Sequence, residues 1–168
     1  KEAGITELPK TLSELETACE KLEAIGVTPF SNGYMEYWVI KHCLTNYMAS
    51  EDGDAAEIAQ GLTDGTLKFA DLPLTSQFFD FIDLTVKYGT PKTLEVGYTD
   101  QINDLASGKV AMIDQGTWVE PSVLEIDPDM ELGFFPVPVL EDASKSKLMV
   151  GAYWTYRVAK DGEHVDEA

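Results

Sequence analysis

Aromatic residues beside turns and element ends are the first chemical signal in this chain: Tyr34, Tyr37, Trp38, Trp118, Tyr153, Trp154 and Tyr156. Sugars present flat C–H faces that pack on such rings, and hydroxyl rims that need fixed donors and acceptors. Glu36 lies within the first aromatic group, and Asp114 and Gln115 stand shortly before Trp118. The candidate ligand contacts are therefore Trp118, Tyr34, Glu36, Trp38, Asp114, Gln115, Tyr153 and Trp154. Ordinary core packing competes with this reading and stays open for Trp38 and Tyr156. Trp118 differs, because Gly116 and a strand-to-helix turn put it at the mouth of an element.

Catalytic chemistry finds little support. The two histidines, His42 and His164, are far apart, and no Gly-x-Ser-x-Gly, Gly-rich phosphate loop or His-Glu-x-x-His occurs. Asp52-Gly53-Asp54 hints at calcium, but the remaining ligands of a twelve-position loop do not follow, so it reads as a solvated loop. No cofactor is expected. The 30 acidic residues make any carboxylate pair uninformative by abundance.

Charge narrows the partners. A formal net charge of -18 repels phosphate backbones, which makes nucleic acid and anionic membrane surfaces poor candidate partners. One arginine, Arg157, argues against a bidentate anion clamp. Neutral solutes, cations and other proteins remain. The 168 residues suffice for one core, with 44% apolar and 25% charged residues. No apolar run reaches the ~20 residues of a membrane-spanning helix. Lys1 to Lys10 is polar, so an export signal is expected to have been removed or to lie upstream. Cys19 and Cys43 fall on apolar helix faces and read as small buried hydrophobes, with a disulfide between them possible.

The elements that position these residues follow from pattern. Thr11 and Glu14 form a capping box, and Leu15, Ala18, Cys19, Leu22 and Ile25 share one helical face that Gly26 ends. Val27 to Phe30 reads as a short strand, Ser31-Asn32-Gly33 as a turn, and Met35 to Ala49 as a helix. Ala55 to Gln60 is a short helix, with a loop over Thr63 to Phe69. The next helix puts Phe78, Ile82, Thr85 and Val86 on one face and ends at Gly89. Tyr98 to Ser107 is helical with Thr99 as cap, Val110 to Asp114 is a strand, and a helix starts near Trp118 with Pro121 in its first turn. Pro136-Val137-Pro138 is extended and cannot be a central strand. Glu141 to Lys147 reads as a polar turn, Leu148 to Ala159 as a strand or strand pair, and Glu163 as the start of a further helix. The expected class is α/β, helix-rich with a small mixed sheet.

Three stretches carry a resemblance to a known family. The first runs from Ala3-Gly4-Ile5 through Leu8-Pro9-Lys10-Thr11-Leu12-Ser13-Glu14-Leu15 to Gly26-Val27-Thr28-Pro29-Phe30. It is similar to "AGI…P-x-T-W-x-E-L…L…G-x-x-P", with Leu12 where tryptophan is common. The second, Leu105-Ala106-Ser107-Gly108-Lys109-Val110-Ala111-Met112-Ile113-Asp114-Gln115-Gly116-Thr117-Trp118, is similar to "F-x-x-G-K-x-A-M-x-x-x-G-x-W", with Leu105 for phenylalanine. The third is Gly133-Phe134-Phe135-Pro136-Val137-Pro138, followed later by Gly151 and Val158-Ala159-Lys160. Together they resemble the extracellular sugar-binding proteins of bacterial ABC importers, the family of maltose-binding protein.

That resemblance implies two α/β lobes of the type II periplasmic-binding-protein kind, joined by a hinge, with sugar in the cleft. It implies a carbohydrate ligand, permease subunits of an ABC importer as partners, and an extracellular, surface-anchored or periplasmic location. Trp118 matches the family's ring-stacking tryptophan, residues 34–38 match a loop and helix start that add an aromatic and a polar contact, and Tyr153 and Trp154 match a strand re-entering the cleft. Family members are more than twice as long. Residues 1–136 would then be most of the second lobe, and residues 137–168 a hinge and return segment toward a first lobe that precedes Lys1. Two functions of other classes share the composition. A glycan-active hydrolase with paired acids would release product in a turnover assay. An acidic interaction module would bind a basic partner in a salt-sensitive way, without sugar affinity.

Overall fold

Thr11 starts the first helix as expected, its hydroxyl accepting from the Glu14 N–H at 3.2 Å. The computed structural model describes residues 2–51, 54–138 and 140–145. Helix α1 spans Leu12–Glu23 and buries Leu15, Ala18 and Cys19. It stops short of Ile25, which is exposed, and Gly26 turns the chain with a left-handed φ of 80°. Strand β1, Thr28–Phe30, follows, then α2, Tyr37–Ser50, and α3, Ala55–Asp64. Asp54 caps α3 by accepting from the Ala56 N–H at 2.7 Å, while Asp52 and Gly53 lie outside the described residues. Helix α3 runs one turn beyond the Gln60 expected from sequence and ends at left-handed Gly65.

Helix α4 spans Thr75–Lys87, α5 Tyr98–Ala106, β2 Val110–Met112, and α6 Glu120–Ile126 after a 3-10 turn at Thr117–Val119. Pro121 sits in the first turn of α6, where its missing N–H costs nothing. The buried face of α4 is Phe78, Phe81, Leu84 and Thr85; Val86, expected there, is exposed. Gly97, not Thr99, caps α5. Its N–H donates to Asp100 at 2.9 Å, so an acid one turn in does the work a hydroxyl was expected to do.

The sheet is small. β1 and β2 pair in parallel, Thr28 against Val110 and Phe30 against Met112. On its other side β1 meets residues 88–90, also in parallel: Phe30 N–H donates to Tyr88 O, and Thr90 N–H to Phe30 O. Among the described residues every pairing is parallel, where a mixed sheet was expected. Leu148 to Ala159 and the segment from Glu163 lie outside the described residues, as do Tyr156, Arg157 and His164. The polar 141–145 stretch holds a 3-10 turn, Ala143–Lys145.

The main core joins Leu15 and Cys19 of α1, Cys43 and Tyr47 of α2, and Phe78, Phe81 and Leu84 of α4. Val137 and Leu140 pack on the same cluster, so these two residues just after Pro136 belong to this body. A second cluster sets Ile102 and Ala106 of α5 against Val123 of α6. Both cysteines are buried free thiols, and burial among the acids of α1 pushes Cys19 up to about 12. No described helix is long and apolar enough to cross a membrane.

Phe81 belongs to the main core, meets the Tyr47 ring and is 2% exposed. Phe81→Ala should cost about 3–5 kcal/mol by urea denaturation. A loss below ~1 kcal/mol would place the ring outside the core.

Candidate functional site

Four rings line up along the first turns of α2 and the elements facing it. Tyr98 and Trp38 stand 5.3 Å apart between centroids, Trp38 and His42 5.5 Å, and His42 and Trp118 5.2 Å. Trp38 and His42 are four residues apart on α2, which puts them on one helix face. Tyr98 opens α5, and Trp118 rides the turn after β2. Trp118 is 38% exposed, and Trp38, His42 and Tyr98 are half-buried. Tyr37, at 82% exposed, stands beside this tier at the start of α2. Partial burial and the Lys41 charge hold the His42 imidazole below its ordinary pKa, so it is neutral at pH 7.

The turn carrying Trp118 is held from below. Gln101, fully buried on α5, donates to the Ser31 carbonyl at 2.7 Å and accepts from the Gln115 amide at 2.7 Å. Ser31 in turn donates to Asp104 at 2.8 Å, and Lys109 closes on the same carboxylate at 2.6 Å. The end of β1, helix α5 and the exit of β2 are thus tied at one amide. Gly33 takes φ 63° there, and a Cβ on it would collide with Gln101. Gly116 has the same need for space, since a Cβ would enter the Trp118 indole.

The sequence-derived candidates separate on this geometry. Trp118 and Trp38 stand together in the ring tier. Tyr34 does not join them: it is 6% exposed, and its hydroxyl bonds Thr85 at 2.7 Å. Thr85 already donates to the Ile82 carbonyl, so Tyr34 is the donor. The ring on the surface of this segment is Tyr37. Glu36 is committed elsewhere as well, accepting from the Tyr98 N–H at 3.0 Å and so bracing the start of α5. Gln115 is half-buried with its amide on Gln101. Asp114 is half-buried too, but its Oδ2 is sealed from solvent and has no hydrogen-bond partner among the described residues. Tyr153 and Trp154 lie outside the described residues. His42 and Tyr98 were missed as ring partners. The i, i+4 spacing of Trp38 and His42 was the available signal for the first; Tyr98 needed the tertiary fold. Among the described residues no cluster of His, Cys, Asp or Glu could hold a metal ion.

A groove of about 310 Å³ runs along the outer edge of β2, between Val110, Met112 and Asp114 on one wall and Leu132, Phe135 and Val137 on the other. It does not include the ring tier.

The sequence pattern of the bacterial extracellular solute-binding proteins matches residues 1–168. The chain belongs to that family. A search of curated proteins gives no match. Among solved structures, this solute-binding chain is similar to a chitin oligosaccharide binding protein, at 30% identity and TM-score 0.61, over 73% of this chain and 31% of that one. It is similar to the solute-binding protein RafE in complex with raffinose, at 23% identity and TM-score 0.67, over 83% of this chain and 37% of that one. A sugar transporter from Bacillus licheniformis in complex with stachyose matches at 19% identity and TM-score 0.63, over 81% and 36%. The fold is therefore the helix-rich α/β lobe of the type II solute-binding proteins. This chain spans about a third of the length of each of the three.

Burial raises the Asp114 carboxyl from the ordinary 3.8 to about 6, against a smaller opposing pull from the Cys43 thiol. A carboxyl whose pKa is higher in the folded state than in the unfolded chain favours folding below the unfolded value. That contribution is lost as pH climbs from about 4 to about 6. Asp114→Asn should therefore gain about 1–3 kcal/mol at pH 7 and flatten the stability profile between pH 4 and 6. Chemical denaturation across that range checks it; an unchanged slope would mean that Asp114 ionises as a surface acid does.

Proposed function

We propose that the full-length protein captures an oligosaccharide outside the cell and delivers it to an ABC importer. The observation that carries this reading is the ring tier, with a partly exposed indole at one end and a phenol at the other. Aromatic faces beside amide and carboxylate groups suit the mixed apolar and polar surface of a sugar. The three similar structures are of proteins whose descriptions name a chitin oligosaccharide, raffinose and stachyose, which supports the same ligand class here.

In this reading residues 1–136 form most of the second lobe, and residues 137–168 lead toward the first. Trp118 and Trp38 stack on the sugar, and Tyr37 and Tyr98 extend the platform. Glu36, Asp114, Gln115 and Tyr34 work mainly by holding the rings in place. Tyr153 and Trp154 would complete the cleft from the return segment. The protein binds and releases its ligand without chemistry, acts with permease subunits, and is surface-anchored or periplasmic.

Trp118→Ala in the full-length protein should weaken oligosaccharide binding by about 10- to 100-fold, or roughly 1–3 kcal/mol, and leave stability nearly unchanged. Calorimetry against chitin oligosaccharide, raffinose and stachyose, with parallel thermal unfolding, tests this. Unfolding without loss of affinity would return Trp118 to the core. Release of hydrolysed product would replace the binding role with an enzymatic one.

A further inference from the structure

A closed ring of hydrogen bonds brackets the exit of β2. The Ser31 N–H donates to the Met112 carbonyl at 3.3 Å, and the Ser31 carbonyl accepts from the Gln101 amide at 2.7 Å. The Gln101 side-chain oxygen accepts from the Gln115 amide at 2.7 Å. Gln115 is joined back to Met112 through Ile113 and Asp114, which closes the ring. The strand end and the start of the turn are both held by way of one buried side chain.

Gln101 fits this place in one orientation. An amide has a donor end and an acceptor end. Turned over, it would set its N–H groups against those of Gln115 and its oxygen against the Ser31 carbonyl. Gly33 packs so closely on the same side chain that a Cβ there would collide with it, and Gln101 has no exposed surface. The amide is therefore confined as well as paired.

The turn carries that order to the indole. Gly116 follows Gln115 directly, and the Trp118 ring lies against it where any other residue would carry its Cβ. The Val119 N–H donates to the Gly116 carbonyl at 3.3 Å and closes the turn. The His42 ring meets the indole at 5.2 Å. Trp118 thus rests on His42 and on a backbone whose preceding residue is held by Gln101.

We propose that Gln101 is a positioning residue of the site: fully buried and out of a ligand's reach, it sets affinity through Gln115 by keeping the Trp118 indole seated. The proposal rests on the oligosaccharide-binding reading for its ligand half only. Cutting the ring at the Gln101–Gln115 bond leaves the turn held by the covalent chain alone. Ligand then binds the seated fraction of molecules, and a fall of that fraction to about a tenth raises Kd about tenfold.

The test uses the full-length protein. Gln115→Met cuts the ring at its half-buried member and leaves the Gln101–Ser31 bond in place. Gln101→Met cuts both bonds. Each is made in the wild type and in Trp118→Ala. In calorimetry with chitin oligosaccharide, raffinose and stachyose, either variant should raise Kd about five- to tenfold in the wild type. In Trp118→Ala, where no indole remains to be seated, the rise should stay below about twofold. Without ligand, the near-ultraviolet circular dichroism of the rings should weaken in Gln115→Met while its urea midpoint moves little. Gln101→Met strands the Ser31 carbonyl; if it does not fold, Gln115→Met decides. Equal losses in both backgrounds would make Gln115 a direct sugar contact and overturn the positioning role. Unchanged affinity and dichroism in Gln115→Met would reduce Gln101 to a stabiliser of the fold. If none of the sugars binds the wild type, the functional reading fails, and the ligand-free dichroism decides the seating of Trp118 on its own.

Discussion

The Gln101 side chain is the tie on which the site depends. It is fully buried, and both ends of its amide are used, one by the Ser31 carbonyl and the other by the Gln115 amide. Among the described residues the sheet contributes a three-residue parallel pair and one bridge to residues 88–90, too short to orient a long turn by ladder bonds. One buried amide therefore does what a longer sheet would do elsewhere. Removing it would strand the buried Ser31 carbonyl, a cost of order 1–3 kcal/mol, and release the half-buried Gln115 amide. The neighbouring Ser31–Asp104–Lys109 chain stiffens the same corner.

Above that corner, the positions of the rings follow. Glu36 braces the first N–H of α5, which sets Tyr98 against Trp38. Trp38 sets His42 by helical spacing, and His42 meets Trp118. The polar residues around the platform are mostly occupied with one another. On the proposed reading their contribution to binding is geometric: they would fix the rings before a ligand arrives, which lowers the ordering cost of capture.

Much of this fold was legible locally. Thr11 and Glu14 declare the start of α1 within four residues, and Gly26 declares its end, because caps and left-handed glycines act through neighbours in sequence. Trp118 was legible for the same reason, through Gly116 and the strand-to-helix turn. Tyr34 and Glu36 were not, because their partners, Thr85 and Tyr98, come from distant parts of the chain. A tyrosine beside a turn looks the same in sequence whether its hydroxyl meets water or a buried threonine. The cap of α5 was misread because Asp100 serves it from inside the helix, where Thr99 offered the more familiar signal. The parallel pairing of β1 with β2 depends on a crossover of some eighty residues, which no local pattern reveals.

The start of α5 has a further consequence. A helix N-terminus carries a partial positive charge and readily holds an anion. Here that place is filled by the protein itself: Asp100 takes the Gly97 N–H and Glu36 the Tyr98 N–H, directly beside the first ring of the tier. A solute bearing a carboxylate or phosphate would find that helix terminus already neutralised, within a chain of net charge -18. On the proposed reading, uronic acids and sugar phosphates would be disfavoured by repulsion rather than by shape.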